Sequence, residues 1–146
     1  MAILSDFFVA SPEQATRYAN RSDEPDGGAE ITALLQPASY TGFTTLQIGK
    51  LWAILEGVAW DRKRLMLENI WFSDEGEAWL NRFPNKLMQL LADASADQLA
   101  AALVRWVATE EVDYSAEDLA PVLNDLGALA SKAAETNTSV YLWGSV

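Results

Sequence analysis

The two ends of the chain carry the patterns that most restrict its fold. Near the amino terminus stands "ILSDFFVA", which is rich in β-forming residues, and the chain ends in the alternating, aromatic-rich "TSVYLWGSV"; both are typical of strands. Between them, apolar residues recur at helical spacing. We therefore predict a single α+β domain over residues 1–146, in which several amphipathic helices pack on a small sheet that includes the N- and C-terminal strands.

Capping signals place the starts of several helices. Ser11 with Gln14 and Ser95 with Gln98 have the spacing of capping boxes, in which each side chain of the pair binds the backbone N–H of the other residue. We predict that helices begin directly after both serines. A third amphipathic helix is predicted over residues 44–57, where apolar side chains recur at i, i+3, i+4 and i+7.

Turn and breaker residues assign the remaining segments. Residues 21–30 combine charge, proline and a glycine pair and are predicted to form a loop. A short strand is predicted at Asn69–Phe72, followed by a helix capped at Ser73 and a new helix from Pro84. Pro121 lies inside the last helical pattern, where it removes a backbone hydrogen bond, so we expect a kink or a restart there.

The composition excludes several kinds of chemistry. The chain has no cysteine and no histidine, so it lacks disulfides, thiolate metal sites, cysteine nucleophiles and the one side chain that titrates near neutral pH. Catalysis would require carboxylates, lysines, tyrosines or hydroxyl groups in strongly perturbed environments. We predict a non-enzymatic protein without cofactor, metal site or catalytic residues.

The net charge of −11 is distributed unevenly along the chain. Residues 1–60 carry −4, residues 61–92 are neutral, and residues 93–146 carry −7. Such a field repels nucleic acid and anionic membranes and attracts basic proteins, although acidity also keeps an aromatic-rich protein soluble. The amino-terminal segment lacks the features of a signal peptide, and no apolar run is long enough to span a bilayer, so we expect a cytoplasmic location.

One short segment, "AWDRKRLML", concentrates positive charge. Arg62, Lys63 and Arg64 follow Trp60 and Asp61. The favoured interpretation is a solvated connection whose charges pair with neighbouring carboxylates. In the alternative, Trp60 stacks on a ligand while Arg62 or Arg64 clamps its carboxylate or phosphate. The carboxylates in reach are those of Asp61, Glu56 and Glu68.

Acidic side chains cluster in the last third of the chain, where we expect a basic protein partner to bind. The cluster lacks the spacing and the glycine of a calcium loop, and solvated helix caps are the simplest interpretation of such carboxylates. The candidate contact residues are Glu110, Glu111, Asp113, Glu117 and Asp118.

The six tryptophans divide into two groups. Trp52 and Trp106 fall on apolar helical stripes and are predicted to lie in the core. The other four lie near the ends of predicted elements, where an amphipathic ring can line a groove or the contact of a homodimer. These four are Trp60, Trp71, Trp79 and Trp143.

Three segments contain the main predicted helices and strands in their order along the chain: the opening "ILSDFFVASPEQATRYA", the middle "LQIGKLWAILEG" and the ending "DLAPVLNDLGALASKAAETNTSVYLWGSV". They cover about 60 residues and together resemble the YfbM-like family, which consists of uncharacterised bacterial proteins. The segment from Val58 to Pro84 does not match the family pattern. The resemblance implies an α+β fold and brings no activity, cofactor or site residues.

Three functional hypotheses remain. The leading one is a protein-interaction module that binds a basic partner, for example as an immunity or inhibitor protein. The alternative is a small-molecule binding protein with a Trp-lined pocket and an arginine that clamps an anion. The third is a carboxylate-based hydrolase, which would need a buried Asp or Glu with a raised pKa.

Overall fold

The computed structural model describes residues 2–146, which form six α-helices, one 3-10 helix and five strands. The predicted α+β class is confirmed. The strands are β1 (Leu4–Ala10), β2 (Ala38–Thr41), β3 (Glu68–Phe72), β4 (Ala78–Arg82) and β5 (Ser139–Ser145). The helices are α1 (Pro12–Ala19), the 3-10 helix (Arg21–Asp23), α2 (Ala29–Leu35), α3 (Thr45–Glu56), α4 (Asn85–Asp93), α5 (Ala96–Val107) and α6 (Ala116–Thr136).

All five strands form one antiparallel sheet in the order β2-β1-β5-β4-β3. The central pair is β1 and β5, which run side by side from Leu4 opposite Ser145 to Ala10 opposite Ser139. The prediction that the sheet includes the first and last strands is therefore confirmed. β2 and β3 lie at the two edges, and β3 is joined to β4 by a tight turn.

Different helices cover the two faces of the sheet, because side chains alternate along each strand. Phe7 points into the larger core, which is built from α3, α4, α5 and α6. Phe8 and Tyr141 lie on the opposite face, in a smaller core with α1 and α2. Trp71 and Trp143 pack at the margin of this smaller core and are half-buried.

Both predicted capping boxes are present. Ser11 Oγ accepts the Gln14 N–H at 3.2 Å, and Gln14 Oε1 accepts the Ser11 N–H at 3.0 Å. The corresponding distances for Ser95 and Gln98 are 3.1 and 2.7 Å. α1 and α5 begin where these local signals place them, and α3 fits the predicted range of 44–57.

The predicted helix after Ser73 is wrong, because the chain turns there and continues as β4. Ser73 closes the turn by donating its N–H to the Ala78 carbonyl at 2.9 Å and accepting the Ala78 N–H on Oγ at 3.0 Å. Leu80 is fully buried, and Trp79 covers Gly144 so closely that a Cβ there would lie 2.4 Å from the indole. Packing against β5 thus overrides the local helix-start signal.

Residues 21–30, predicted as a loop, include the 3-10 helix and the start of α2. The Asp26 carboxylate accepts the backbone N–H groups of Gly28 and Glu30, both at 2.9 Å, and so orders the turn before α2. The sequence predictions contain neither α2 nor β2. Both are short, at seven and four residues, and too brief to show a clear period.

α6 runs from Ala116 to Thr136 without interruption, so of the two outcomes expected at Pro121, a kink or a restart, the restart does not occur. The proline removes one helical hydrogen bond, while the next two residues, Val122 and Leu123, are buried in the larger core. That burial holds the helix together across the proline. Although α6 is the longest helix, neither it nor any other within residues 2–146 has the length and apolarity needed to cross a membrane.

Candidate functional site

The three basic residues that follow Trp60 lie in an exposed turn between α3 and β3. The Asp61 side chain accepts the Lys63 N–H at 2.9 Å, and the Asp61 carbonyl accepts the N–H groups of Arg64 and Leu65 at 3.2 and 2.7 Å. The turn is therefore built by the aspartate that precedes the cations. Arg62 and Lys63 project from it and take part in no ion pair among the described residues, 2–146.

Arg64 is the member of this cluster that pairs locally, as predicted. Its Nη2 lies 2.7 Å from Glu56 Oε2 at the end of α3. The hydrogen bond from Arg64 lowers the pKa of Glu56 below its ordinary value. Glu68, the third predicted partner, instead binds Arg82 at 2.9 Å across the β3–β4 pair. Arg64 thus joins the end of α3 to the turn.

The cation that lies over Trp60 is Lys50, which the sequence analysis did not single out. Lys50 Nζ is 4.2 Å from the centroid of the Trp60 ring and 3.5 Å from Glu111 Oε1. Gly49 leaves room for this ring, since a Cβ there would lie 3.1 Å from Trp60 Nε1. Lys50 therefore links Trp60, from the predicted ligand-contact segment, to Glu111, from the predicted partner-contact segment.

The other carboxylates of the acidic segment point to solvent. Glu110, Asp113, Glu117 and Asp118 are exposed and form no ion pair within residues 2–146. The last two lie in the first turn of α6, whose N-cap is Ser115, and there they interact favourably with the helix dipole. Over the same described residues, no group of three or more acidic side chains is placed to hold a metal ion.

A groove of about 400 Å³ lies at the margin of the smaller core, on the side of the sheet that α1 covers. We call it the Arg21 groove. Its volume falls within the range of small-molecule sites, which begins at about 300 Å³. One wall consists of residues 19–23 and Gly27, and the other consists of residues 71–74, Ala78 and Trp143.

Arg21 lies in this wall against two aromatic rings that are perpendicular to each other. Its guanidinium carbon lies 4.0 Å from the ring centroid of Tyr18 and 4.2 Å from that of Trp143. Its Nη1 donates to the Tyr18 carbonyl at 2.9 Å. Cation–π contacts of this kind contribute about 0.5–1 kcal/mol at exposed sites and about 2 kcal/mol when desolvated, so the guanidinium is positioned before any ligand arrives.

Two neighbours fix the geometry of this stack. The buried Tyr18 hydroxyl donates to Asp6 Oδ2 at 2.6 Å, and burial together with this bond raises the pKa of Tyr18 far above its ordinary value, so the ring stays neutral. Gly28, at φ +90°, lies against the arginine stem, and a Cβ there would be 2.4 Å from Arg21 Cβ. The stack therefore depends on glycine at this position.

Arg21 has no direct ion-pair partner among residues 2–146, although Asp23 and Asp74 line the same groove. The indole Nε1 of Trp143 is likewise buried without a hydrogen-bond partner in that range. The indole nitrogens of Trp52 and Trp60, which lie outside the groove, are in the same state in that range, so this feature does not by itself mark the groove as a site.

The chemistry of the groove suits a small ligand with a flat ring. Trp71 offers an aromatic face, and Arg21 offers a planar fork of donors that matches a carboxylate. Asp23 and Asp74 also line the groove, and they would accept hydrogen bonds from a donor group on the same molecule. A ring that carries a carboxylate and a separate donor fits this arrangement.

A second groove of about 380 Å³ lies between α3, α4 and α5. Its polar lining includes Lys86, Arg105 and Asp93, and it has no aromatic wall. Nothing there fixes a cation in the way that the two rings fix Arg21. The Arg21 groove is therefore the stronger candidate, since only there are a positioned charge and aromatic surfaces combined.

The sequence pattern predicts Trp71 and Trp143 as groove-lining residues, but it does not predict the role of Arg21. Trp52 and Trp106 are buried, as predicted, and the four tryptophans near element ends are all half-buried. Arg21 lay in a predicted loop, and its partner Trp143 lies on the last strand. The local sequence signal for Arg21 is a cation just after α1 and close to the glycine pair at 27–28.

Comparisons with known proteins give a similar solved structure and no function. No family model matches the chain, and no curated protein matches it. Among solved structures, the chain is similar to YfbM from Escherichia coli, described as a protein of unknown function. The two share 15% sequence identity over 98% of this chain and 99% of that chain, with a TM-score of 0.40. YfbM also gives its name to the family that the three sequence segments resemble.

Proposed function

We propose that this protein is a non-enzymatic binding protein for a small carboxylate-bearing molecule with a flat ring, held in the Arg21 groove. The observation that carries the proposal is the guanidinium of Arg21, which contacts the rings of both Tyr18 and Trp143 and has no carboxylate partner in residues 2–146. A cytoplasmic location is part of the proposal.

Pre-positioning of Arg21 is the physical reason to expect binding there. An arginine on a flexible loop must lose side-chain freedom when it binds, and this lowers affinity. Here the two rings and the Tyr18 carbonyl already restrict the side chain. A carboxylate would then gain a bidentate, charge-assisted contact at little entropic cost.

A thermal-shift screen with aromatic carboxylates and free aromatic amino acids tests the proposal, with benzoate as the simplest probe. A true ligand raises the melting temperature by an amount that grows with the logarithm of its concentration above Kd, and the rise disappears in R21M, which keeps an apolar stem and removes the charge. R105M is the matched control, because Arg105 lies in the other groove. If no compound shifts the melting temperature, or if R21M and R105M respond alike, the proposal fails.

A basic protein partner is a second candidate, and a specific observation favours it. Four of the five carboxylates in the acidic segment are exposed and without an ion pair inside residues 2–146, while Glu111 is held by Lys50. Such free charges attract a basic surface and are screened by salt. An immunity or inhibitor protein that binds a basic toxin would fit this description.

Affinity capture from lysate at low and high salt tests this second candidate. We expect one basic protein, retained at low salt, released at high salt and lost with E117Q/D118N. The matched control is D97N/E135Q, which removes two exposed carboxylates elsewhere, one of them also in the first turn of a helix. Retention that ignores salt, or that fails equally in both variants, would contradict the acidic segment as the contact.

A further inference from the structure

β3 forms an open edge of the sheet with apolar side chains exposed along it. Ile70 is 46% exposed and Phe72 is 61% exposed. Phe72 and the exposed Met66 line one shallow apolar depression of about 250 Å³. Exposed edge strands readily pair with other chains unless they are shielded, and this one carries neither a lysine nor a proline.

Opposite charges flank the two ends of β3. Before the strand comes the basic turn, which we define as Arg62, Lys63 and Arg64. After it comes the acidic turn, which we define as Asp74, Glu75 and Glu77. All six side chains are exposed, and among the described residues 2–146 only Arg64 has an ion-pair partner.

The two turns cannot neutralise each other within one molecule. A strand of five residues is roughly 16 Å long at about 3.3 Å per residue. That separation is about twice the Debye length of roughly 8 Å at physiological ionic strength. Each turn therefore offers its charge outward, at opposite ends of an apolar edge.

We propose that the β3 edge is the contact surface of a symmetric homodimer, in which the basic turn of each copy faces the acidic turn of the other. A two-fold axis near Ile70 runs the two β3 strands antiparallel and places Glu68 of one copy beside Phe72 of the other. In such an isologous contact, each pairing occurs twice. The basic turn of each copy then lies opposite the acidic turn of the other copy, at both ends of the contact.

A second copy fits this surface better than an unrelated protein of one charge sign. A basic partner would be repelled by the basic turn, and an acidic partner would be repelled by the acidic turn. A rotated copy complements both. This is the simplest occupant because three basic side chains precede β3 and three acidic side chains follow it.

Side chains rather than a continuous backbone ladder form the contact. The register of β3 against β4 shifts between Asn69 and Trp71, which leaves Ile70 without a partner on β4. Such bulges interrupt ladder pairing at a sheet edge. The apolar centre is therefore formed by Met66, Ile70 and Phe72, and the charged turns set the orientation.

Sedimentation velocity of the intact protein, with two charge-reversed variants, tests the dimer. R62E/K63E makes both turns acidic, and E75K/E77K makes both turns basic. We expect the wild type to dimerise, and we expect each variant alone to show a dimer dissociation constant higher by at least about tenfold, because like charges then face each other at both ends. An equimolar mixture should recover the dimer, since acidic turns again meet basic ones.

The matched control is R105E/K132E, which changes the net charge as R62E/K63E does, at two exposed positions away from β3; this variant should dimerise like the wild type. Circular dichroism verifies that every variant folds. A wild type that stays monomeric from micromolar to millimolar concentration overturns the proposal. The proposal is also overturned if the equimolar mixture of the two variants remains monomeric, or if R62E/K63E and E75K/E77K each dimerise as the wild type does. Phe72 and Asp74 line both the dimer contact and the Arg21 groove, whereas the substituted residues Glu75 and Glu77 do not line the groove. Titration of each variant with benzoate therefore separates loss of the dimer from loss of ligand binding.

Discussion

The guanidinium of Arg21 lies 4.2 Å from the ring centroid of Trp143, so a residue just after the first helix stacks on the last strand. Tyr18, whose ring is perpendicular to that of Trp143, contacts the same guanidinium at 4.0 Å. This arrangement turns the margin of the smaller core into a groove with a fixed positive charge. The proposed function depends on it, because no comparison with known proteins supplies an activity.

Gly28 is predicted to be essential for this stack. At φ +90°, a non-glycine residue costs about 1–2 kcal/mol, and a Cβ would in addition overlap the Arg21 stem at 2.4 Å. Gly42 is the matched control, because it has φ +87° and open space around the position of a Cβ. In urea denaturation, G28A should lose more free energy of unfolding than G42A. If G28A and G42A lost equal free energy of unfolding, a Cβ at position 28 would not clash with the Arg21 stem.

The packing of Trp79 over Gly144 is predicted to restrain the last strand. A Cβ at Gly144 would lie 2.4 Å from the indole of Trp79, and overpacking of a well-filled site typically costs about 1–3 kcal/mol. G144A should therefore unfold at a clearly lower urea concentration than the wild type. The comparison is G127A, where the new Cβ meets Leu99 at 3.5 Å and a helical alanine is favourable by about 0.5–1 kcal/mol. A G144A midpoint at or above that of the wild type would contradict the packing.

Stability at alkaline pH is predicted to depend on Tyr40. Burial and the hydrogen bond to Asp125 raise the pKa of Tyr40 from 10.0 to about 12. Because the folded pKa lies above the unfolded one, this contribution is fully present below pH 10 and is lost as pH rises toward about 12. Y40F and D125N should therefore each show a shallower decline of unfolding free energy across this window than the wild type. Parallel declines in all three proteins would rule out this origin.

The parts of the fold that could be predicted rest on local contacts. Ser11 and Gln14 bind each other within one helical turn, so three-residue spacing suffices to place α1. The helix-start signal at Ser73 is equally local, but its prediction is wrong. Leu80 of β4 is buried where β4 pairs with β5, and this packing outweighs the local signal. A local cap predicts structure only where no distant packing opposes it.

The candidate site could be predicted only in part, for the same reason. Trp71 and Trp143 were recognised as groove-lining candidates from their positions near element ends. Arg21 was missed because its stacking partner is brought to it by the pairing of β1 with β5. Similarly, Lys50 joins Trp60 to Glu111 through the packing of α3 near α5. Contacts across such sequence distances leave no periodic signal.

The indole N–H resonances of the protein, followed by two-dimensional NMR during titration with an aromatic carboxylate such as benzoate, test the central claim most directly. The chain has six tryptophans, and single Trp-to-Phe variants assign their signals. We predict that the resonances of Trp71 and Trp143 shift together with saturable dependence, that the Trp60 resonance stays in place, and that R21M abolishes the shifts. Saturable shifts confined to Trp60, or none at all, would contradict binding in the Arg21 groove.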